Sequence, residues 1–175
     1  VVDPLKVIDE AHTEGVARVI CVGTELEDSK RAVSFAKKHK NVWASVGIHP
    51  HDGASFLHTR GSKEAFEQLL NERDDSLVAI GECGLDYYYE HSPRADQIEM
   101  LEFQLDQAIK HRLPVIFHIR EAFDDFWPVF DNFKDLQGVV HSFSANTKVL
   151  DQILSRGLYV GLNGIMTFTK DQSQL

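Results

Sequence analysis

The feature that most constrains the fold of this chain is a repeated alternation of short apolar runs with amphipathic segments. Six runs rich in Val and Ile recur along the 175 residues, and each ends in a polar or glycine-rich turn: VARVICVGT, VWASVGIHP, LVAIGECG, LPVIFHIR, GVVHSFS and LYVGLNG. Runs with so little polar alternation are typical of strands that are buried on both faces. The segments between them have apolar residues at helical spacing, so the sequence predicts a parallel sheet with helical crossovers.

Helix boundaries are marked at several positions between these runs. Asp3 and Pro4 predict the start of a first helix, and Gly15 predicts its end. Pro93 precedes a second segment of helical spacing, and Gly157 ends a third. Six parallel strands fit either an open doubly wound sheet or most of a closed barrel. No run is followed by a G-x-G-x-x-G turn, which argues against a dinucleotide-binding sheet.

Composition narrows the class of protein. A hydrophobic content of 43% and a charged content of 26% are ordinary for a globular domain, and no apolar stretch is long enough to predict a membrane span. The net charge of −9 argues against a broad basic face that coats nucleic acid. It does not argue against an enzyme that grips one phosphate through metal ions. Cys21 and Cys83 lie in apolar runs, where we expect buried, reduced thiols and therefore a cytoplasmic protein.

Three consecutive strands are predicted to end in side chains that bind metals. Glu82 follows LVAIG, His118 follows PVIF, and His141 follows GVV. The carboxyl ends of parallel strands form the rim where ligands and catalytic groups collect. A single histidine at such a position is more often a satisfied core residue than a ligand. A series of one carboxylate and two imidazoles favours a site for Zn²⁺, Mn²⁺ or Fe²⁺.

Other side chains of the same rim have more than one interpretation. His49 and His51, in GIHPH, are metal ligands, phosphate contacts or solvated loop histidines. Arg120 either clamps a phosphate or carboxylate, or forms a salt bridge with Glu121 or another acid of the rim. The tyrosines 87–89 either stack on a nucleic acid base or pack their loop onto the barrel.

Longer stretches of the sequence resemble one known family. AIGECGLDYYY, SPRADQIEMLEFQLDQAIKHRLPVIFHIREA, GVVHSFS and GLNGIMTF are similar, in this order, to the TatD-type metal-dependent deoxyribonucleases of the amidohydrolase superfamily. GIHPH fits this family as well. The resemblance covers most of the chain, and E-x-G-L-D-Y-Y followed by H-x-R-E-A is a specific combination.

This resemblance implies a (β/α)8 TIM-type barrel with a site for two divalent ions, Mg²⁺, Mn²⁺ or Zn²⁺. Glu82, His118 and His141 would bind the metals, and His49 and Arg120 would contact substrate phosphate. The implied reaction is hydrolysis of phosphodiester bonds in DNA, and in RNA as well, in the 3′→5′ direction from single-stranded ends. We expect nucleic acid as the partner, no membrane association and a monomer.

The resemblance also implies that the barrel is truncated at both ends of the chain. A His-x-His pair on the first strand would precede Val1, and an Asp after the last strand would lie beyond Leu175 as the expected general base. VVDPLKVIDE has neither an initial Met nor the pattern of a signal peptide, which fits a missing start. We therefore expect residues 1–175 to form one barrel domain with strands two to seven of eight, and the catalytic residue stays unknown.

Two other functions are compatible with these residues. Related amidohydrolases cleave small amides, esters or phosphoesters, but many have a lysine at the strand end where this chain has Glu82. That difference favours the nuclease. The third hypothesis is a catalytically inactive barrel that serves as a scaffold.

Overall fold

A computed structural model describes residues 3–164. Its strands are β1 (Val19–Cys21), β2 (Val42–Val46), β3 (Leu77–Asp86), β4 (Val115–Arg120), β5 (Gly138–Val140) and β6 (Tyr159–Val160). Its helices are α1 (Pro4–Thr13), α2 (Leu26–Ala36), α3 (Gly53–His58), α4 (Ser62–Asn71), α5 (Arg94–His111), α6 (Phe123–Phe130) and α7 (Thr147–Ser155). Each of the six apolar runs contains one strand, as the sequence predicted.

The strands form one parallel sheet whose spatial order follows the chain, β1-β2-β3-β4-β5-β6. Neighbouring strands pair through residues such as Cys21 with Ala44 and Phe117 with Val140. A doubly wound sheet reverses its strand order at a switch point, whereas a barrel winds in one direction. The uninterrupted order of β1–β6 is therefore that of a (β/α)8 barrel wall, as the resemblance implied.

The helix boundaries follow local signals with one difference. At α1, the Asp3 side chain accepts the N–H of Leu5, Pro4 is the first helical residue, and Gly15 follows the helix at φ +89°. The β2–β3 connection contains two helices, α3 and α4, where the sequence indicated one. Gly61 separates them at φ +84°, a backbone conformation in which side chains are strained.

The main core lies between the helices and the outer face of the sheet. Its fully buried side chains include Phe66, Leu101, Leu105, Phe117 and Phe126. On the inner face, residues of five strands line a largely apolar hollow of about 400 Å³: Ile20, Val78, Ile116, Val139 and Tyr159. The sheet is thus apolar on both faces, which is why its strands read as near-continuous hydrophobic runs.

Two further expectations concern thiols and membranes. Cys83 is buried and Cys21 is partly buried, and both are free thiols, as predicted. None of the helices described between residues 3 and 164 combines the length and the apolar character that crossing a membrane requires.

Candidate metal centre

The side chains predicted to form the site lie in the carboxyl-terminal halves of two neighbouring strands, β3 and β4, and just beyond the ends of β2 and β5. Glu82 is part of β3, His118 is part of β4, and His141 directly follows β5. His49 lies shortly after the end of β2. Because the parallel strands are ordered as in the chain, these four ends meet at one edge of the sheet.

Glu82 is the centre of this cluster. Its Oε1 lies 2.6 Å from His141 Nε2, 2.9 Å from His118 Nδ1 and 3.6 Å from His49 Nε2. His118 Nδ1 and His141 Nε2 are 3.1 Å apart. Ligand atoms of His49, Glu82 and His118 all lie within 4.8 Å of one another. The nitrogens of all three histidines are therefore gathered around one carboxylate oxygen, which is an arrangement that could hold a metal ion.

An irregularity in β3 brings Glu82 to this position. The pairing of β3 with β4 shifts register across Glu82, whose backbone N–H donates instead to the carbonyl oxygen of Gly23 at 2.8 Å. Further along, the two strands approach so closely that a Cβ atom on Gly84 would lie 1.9 Å from the carbonyl oxygen of His118. A glycine at position 84 is therefore required for this approach of β3 to β4.

Hydrogen bonds determine which ring nitrogen of each histidine carries a proton. His118 Nε2 lies 3.0 Å from Asp86 Oδ2, and since a carboxylate only accepts, this nitrogen carries the proton. His118 Nδ1 lies 2.9 Å from Glu82 Oε1 and donates to this carboxylate when the ring is charged; loss of that proton leaves the lone pair of neutral His118 on Nδ1. His141 Nδ1 lies 3.0 Å from Ser142 Oγ, which can accept its proton, and Nε2 faces Glu82. Each ring can therefore donate to Glu82 when it is charged, and present a lone pair on the same side when it is neutral, as a metal ligand must be.

In neutral His49, unlike in neutral His118 and His141, the ring nitrogen that faces Glu82 carries the proton. It precedes a 3₁₀ turn, Pro50–Asp52, and its Nδ1 accepts the backbone N–H of His51 at 3.2 Å. Since Nδ1 is an acceptor, the proton of neutral His49 is on Nε2, the nitrogen that faces Glu82. Burial, together with the nearby His118, lowers the pKa of His49 to about 4, so the ring is neutral at neutral pH. A neutral N–H donor suits a phosphate oxygen better than a metal ion.

Asp86, which was not among the residues predicted from the sequence, organises the same site. Its side chain is 1% exposed. One oxygen, Oδ2, lies 3.0 Å from His118 Nε2 and 3.1 Å from His51 Nε2. The other, Oδ1, accepts the backbone N–H groups of Tyr88 and Tyr89, both at 3.0 Å. The even spacing of E-x-G-x-D along a strand was an available signal, because it predicts both carboxylates on one side.

The contacts within the cluster keep both carboxylates ionised. Burial alone would raise the pKa of Glu82, but hydrogen bonds with His118 and His141 lower it far below its usual range. Burial also opposes the ionisation of Asp86, yet the N–H of Tyr89 and the His118 ring lower its pKa to about 2. These carboxylates raise the pKa of His118 although its burial opposes this. Such a concentration of negative charge attracts a cation.

Two buried glutamines of α5 hold the backbone of the site, and the sequence analysis missed both. Gln104 pairs with Ile48: its Oε1 accepts the N–H at 2.7 Å, and its Nε2 donates to the carbonyl at 3.0 Å. Gln97 pairs in the same way with Asp86, at 2.8 and 3.1 Å. Both are fully buried. Their position within the apolar stripe of α5, one heptad apart, was the signal that could have found them.

Arg120 lies on the face of two tyrosines. Its guanidinium carbon is 3.9 Å from the centre of the Tyr88 ring and 4.8 Å from that of Tyr89. Among the ion pairs within residues 3–164, none includes Arg120, so the predicted alternative of a salt bridge to Glu121 or another acid is not formed there.

These side chains open into a cleft of about 360 Å³. Its lining includes Glu82, His118, Arg120, His141, Ser142 and Asn163. The amide nitrogen of Asn163 donates to Ser142 Oγ at 2.7 Å. The part of GLNGIMTF after Gly164 lies outside the described residues, as do the expected His-x-His pair and the expected Asp.

A sequence model of the family described as "TatD related DNase" matches residues 2–175. The chain belongs to this family. The resemblance noted in the sequence is thereby confirmed.

Individual TatD proteins are similar over most of the chain. It is 31% identical over 160 residues to the "3′-5′ ssDNA/RNA exonuclease TatD" of Salmonella typhimurium, covering 90% of the chain and 60% of that protein. It is 32% identical over 179 residues to the "Deoxyribonuclease Tat-D" of Schizosaccharomyces pombe, covering 97% and 57%. The crystal structure of YJJV, a TatD homologue from Escherichia coli K12, superposes with a TM-score of 0.81 at 29% identity, covering 95% and 66%. The chain thus spans about 60% of the length of the curated relatives it matches.

Proposed function

We propose that this TatD chain contributes to the active site of a metal-dependent nuclease that removes nucleotides in the 3′→5′ direction from single-stranded DNA ends and also cleaves RNA. The observation that carries the proposal is the convergence of His118 Nδ1 and His141 Nε2 on one oxygen of Glu82. The substrate is supported by the names of the relatives, a single-stranded DNA/RNA exonuclease and a deoxyribonuclease.

Glu82, His118 and His141 are the metal ligands in this proposal. Two ligand atoms about 2.0–2.1 Å from a tetrahedral ion lie about 3.3 Å apart. The corresponding atoms here are separated by 2.6, 2.9 and 3.1 Å, so small shifts suffice to admit an ion. We expect two ions, Mg²⁺, Mn²⁺ or Zn²⁺, and the Glu82 carboxylate would help to hold them. When bound, such ions activate water as the nucleophile and neutralise charge on the phosphoryl group.

Two other side chains bind the substrate phosphate. His49 donates its Nε2–H to a phosphate oxygen, a role that its neutral ring and its position beside Glu82 support. Arg120 lines the same cleft and is always charged. The Tyr88 ring covers one face of the guanidinium, while the N–H groups in the guanidinium plane can bond two phosphate oxygens. The general base is expected beyond Leu175 and stays a prediction, as do the cytoplasmic location and the monomeric state.

The test is the substitution Glu82→Gln in the intact protein, which removes the charge that would hold the ions but keeps the shape of the side chain. We expect the rate of 3′-end degradation of labelled single-stranded DNA to fall by on the order of a thousandfold or more, with an unchanged circular dichroism spectrum. Glu102→Gln, at an exposed position of α5, is the matched control and should retain the wild-type rate.

Three results of this experiment would be informative against the proposal. A Glu82→Gln protein that still degrades DNA would rule out the metal role of Glu82. A wild-type protein that is inactive on DNA and RNA but hydrolyses members of a panel of small amides, esters and phosphoesters would support the amidohydrolase alternative. Inactivity on every substrate, with no bound metal, would support the scaffold.

A further inference from the structure

Two tyrosines beside the metal centre leave half of their surface in solvent. Tyr88 and Tyr89 are 53% and 52% exposed. Their rings meet edge to face, with centres 4.7 Å apart, and the Arg120 guanidinium lies over both. We call these three residues the aromatic shelf. Large exposed aromatic side chains that are grouped at the edge of a cleft are typical of binding surfaces.

Attachment of the loop does not account for the exposed rings, because Tyr87 already provides it. The Tyr87 hydroxyl donates to Asp125 of α6 at 2.8 Å, and the Arg94 guanidinium of α5 lies 4.0 Å from its ring centre. Tyr87 therefore ties the loop to two helices. The predicted alternative, that the tyrosines pack their loop onto the barrel, holds for Tyr87.

The aromatic shelf is fixed in position relative to the metal centre by a single carboxylate. Asp86 Oδ1 accepts the N–H groups of Tyr88 and Tyr89, while its Oδ2 lies 3.0 Å from His118 Nε2. Arg120 is two residues from His118 on β4 and lines the cleft in which Glu82 lies. One short hydrogen-bond network thus connects the aromatic shelf with the proposed metal ligands. A nucleic acid strand that binds to the shelf is therefore also positioned at these ligands.

We propose that the aromatic shelf stacks a base of the single-stranded nucleic acid whose phosphate lies in the cleft. This inference rests on the proposed function and adds a base-binding subsite to it. Every base has a π-face, so stacking on an aromatic side chain binds single strands with little sequence preference. A protein with a net charge of −9 gains little from general attraction to phosphates, so stacking is an effective source of affinity.

The two variants Tyr88→Leu and Tyr88→Phe separate stacking from other contributions of this residue. Leu keeps an apolar side chain without a ring, and Phe keeps the ring without the hydroxyl. In the intact, metal-loaded protein we expect Tyr88→Leu to raise KM for a single-stranded oligonucleotide on the order of tenfold with a smaller change in kcat. Because Tyr88→Phe keeps the ring, its KM should lie within about twofold of the wild-type value.

Abasic substrates test whether the partner of the ring is a base. In a set of oligonucleotides, each position near the 3′ end in turn carries an abasic tetrahydrofuran unit. For the wild type, one abasic position should raise KM about as much as Tyr88→Leu does. On that substrate, Tyr88→Leu should raise KM little further, because the stacking of base and ring is already lost.

The outcomes distinguish this inference from the proposed function. If Tyr88→Leu raises KM by the same factor on every abasic substrate as on the intact strand, the ring acts through Arg120 or the loop. The inference of base stacking is then wrong. An unchanged KM for Tyr88→Leu, or an equal loss for Tyr88→Phe, overturns it as well. Only a wild-type protein that cleaves no oligonucleotide at all contradicts the proposed nuclease function itself.

Discussion

At the scale of single residues, Asp86 shows how one buried carboxylate can control two parts of a site. Because its Oδ2 accepts from His118 Nε2, the ring of neutral His118 is held with Nδ1 toward Glu82. Outer hydrogen-bond partners of this kind set both the tautomer and the orientation of a metal-binding histidine. Asp86 is thus a positioning residue in the proposed site, although it does not itself face Glu82 in any of these contacts.

The prediction at this scale concerns Asp86→Asn. The amide has the shape of the carboxylate but lacks its charge, and it accepts through one oxygen only, so His118 is held less firmly. We expect the Kd for Mn²⁺ to rise by about 10–100-fold, as measured by isothermal titration calorimetry. Asp52→Asn, an exposed substitution at the last residue of the 3₁₀ turn, should leave the Kd unchanged. Equal affinities of the Asp86→Asn and wild-type proteins would show that His118 is oriented by other contacts.

At the scale of elements, α5 does more than cover β3. It places Gln97 and Gln104 on its buried side, and each bonds both backbone polar groups of one residue at a strand end. Ile48 lies two residues beyond the end of β2, and Asp86 is the last residue of β3, so regular pairing with a neighbouring strand stops at both. Buried backbone groups need such partners, and here a helix supplies them from its apolar stripe.

We predict that Gln104→Leu destabilises the protein because it leaves the N–H and C=O of Ile48 without their partner. Each orphaned buried group costs about 1–3 kcal/mol, so for two groups the free energy of unfolding from urea denaturation should fall by roughly 2–6 kcal/mol. Gln68→Leu, on the exposed side of α4, is the control and should change it by less than about 0.5 kcal/mol. If the free energy of unfolding falls equally little in both variants, water or another group bonds the N–H and C=O of Ile48 in solution.

At the scale of the whole molecule, the proposed metal site connects strands that are successive in the barrel wall. Glu82, His118 and His141 belong to β3, β4 and the residue after β5. A ligand that binds only when these strand ends are together stabilises the folded state by mass action. Metal binding and barrel stability are therefore expected to be coupled.

This coupling gives a prediction that does not depend on catalysis. Mn²⁺ or Zn²⁺ at about 100 times its Kd should stabilise the intact protein by about 2.7 kcal/mol and so raise its Tm, and a chelator should reverse the shift. Glu82→Gln should reduce the shift strongly, whereas Glu102→Gln should not. Differential scanning calorimetry measures both. Two results together would contradict the metal site. They are a wild-type Tm that does not change with metal, and fewer than about a tenth of a metal ion per chain by elemental analysis.

The sequence by itself determined the strands, their alternation with helices and the position of His141 at a strand end, whereas β3 and β4 continue beyond Glu82 and His118. These features follow from local patterns, since periodicity and strand ends are properties of neighbouring residues. The resemblance then distinguished a barrel from an open sheet, and the sequential strand order shows the barrel directly.

Only the tertiary structure decided how the side chains are paired. It joined Gln104 to Ile48, which are 56 positions apart, and it placed Arg120 on Tyr88 rather than beside an acid. It also showed that His49 Nδ1 accepts the backbone N–H of His51, which distinguishes His49 from His118 and His141 and supports its proposed role toward phosphate. The physical reason is that a hydrogen bond or a ring contact depends on which residues the crossovers bring within a few ångströms, and no local pattern records that.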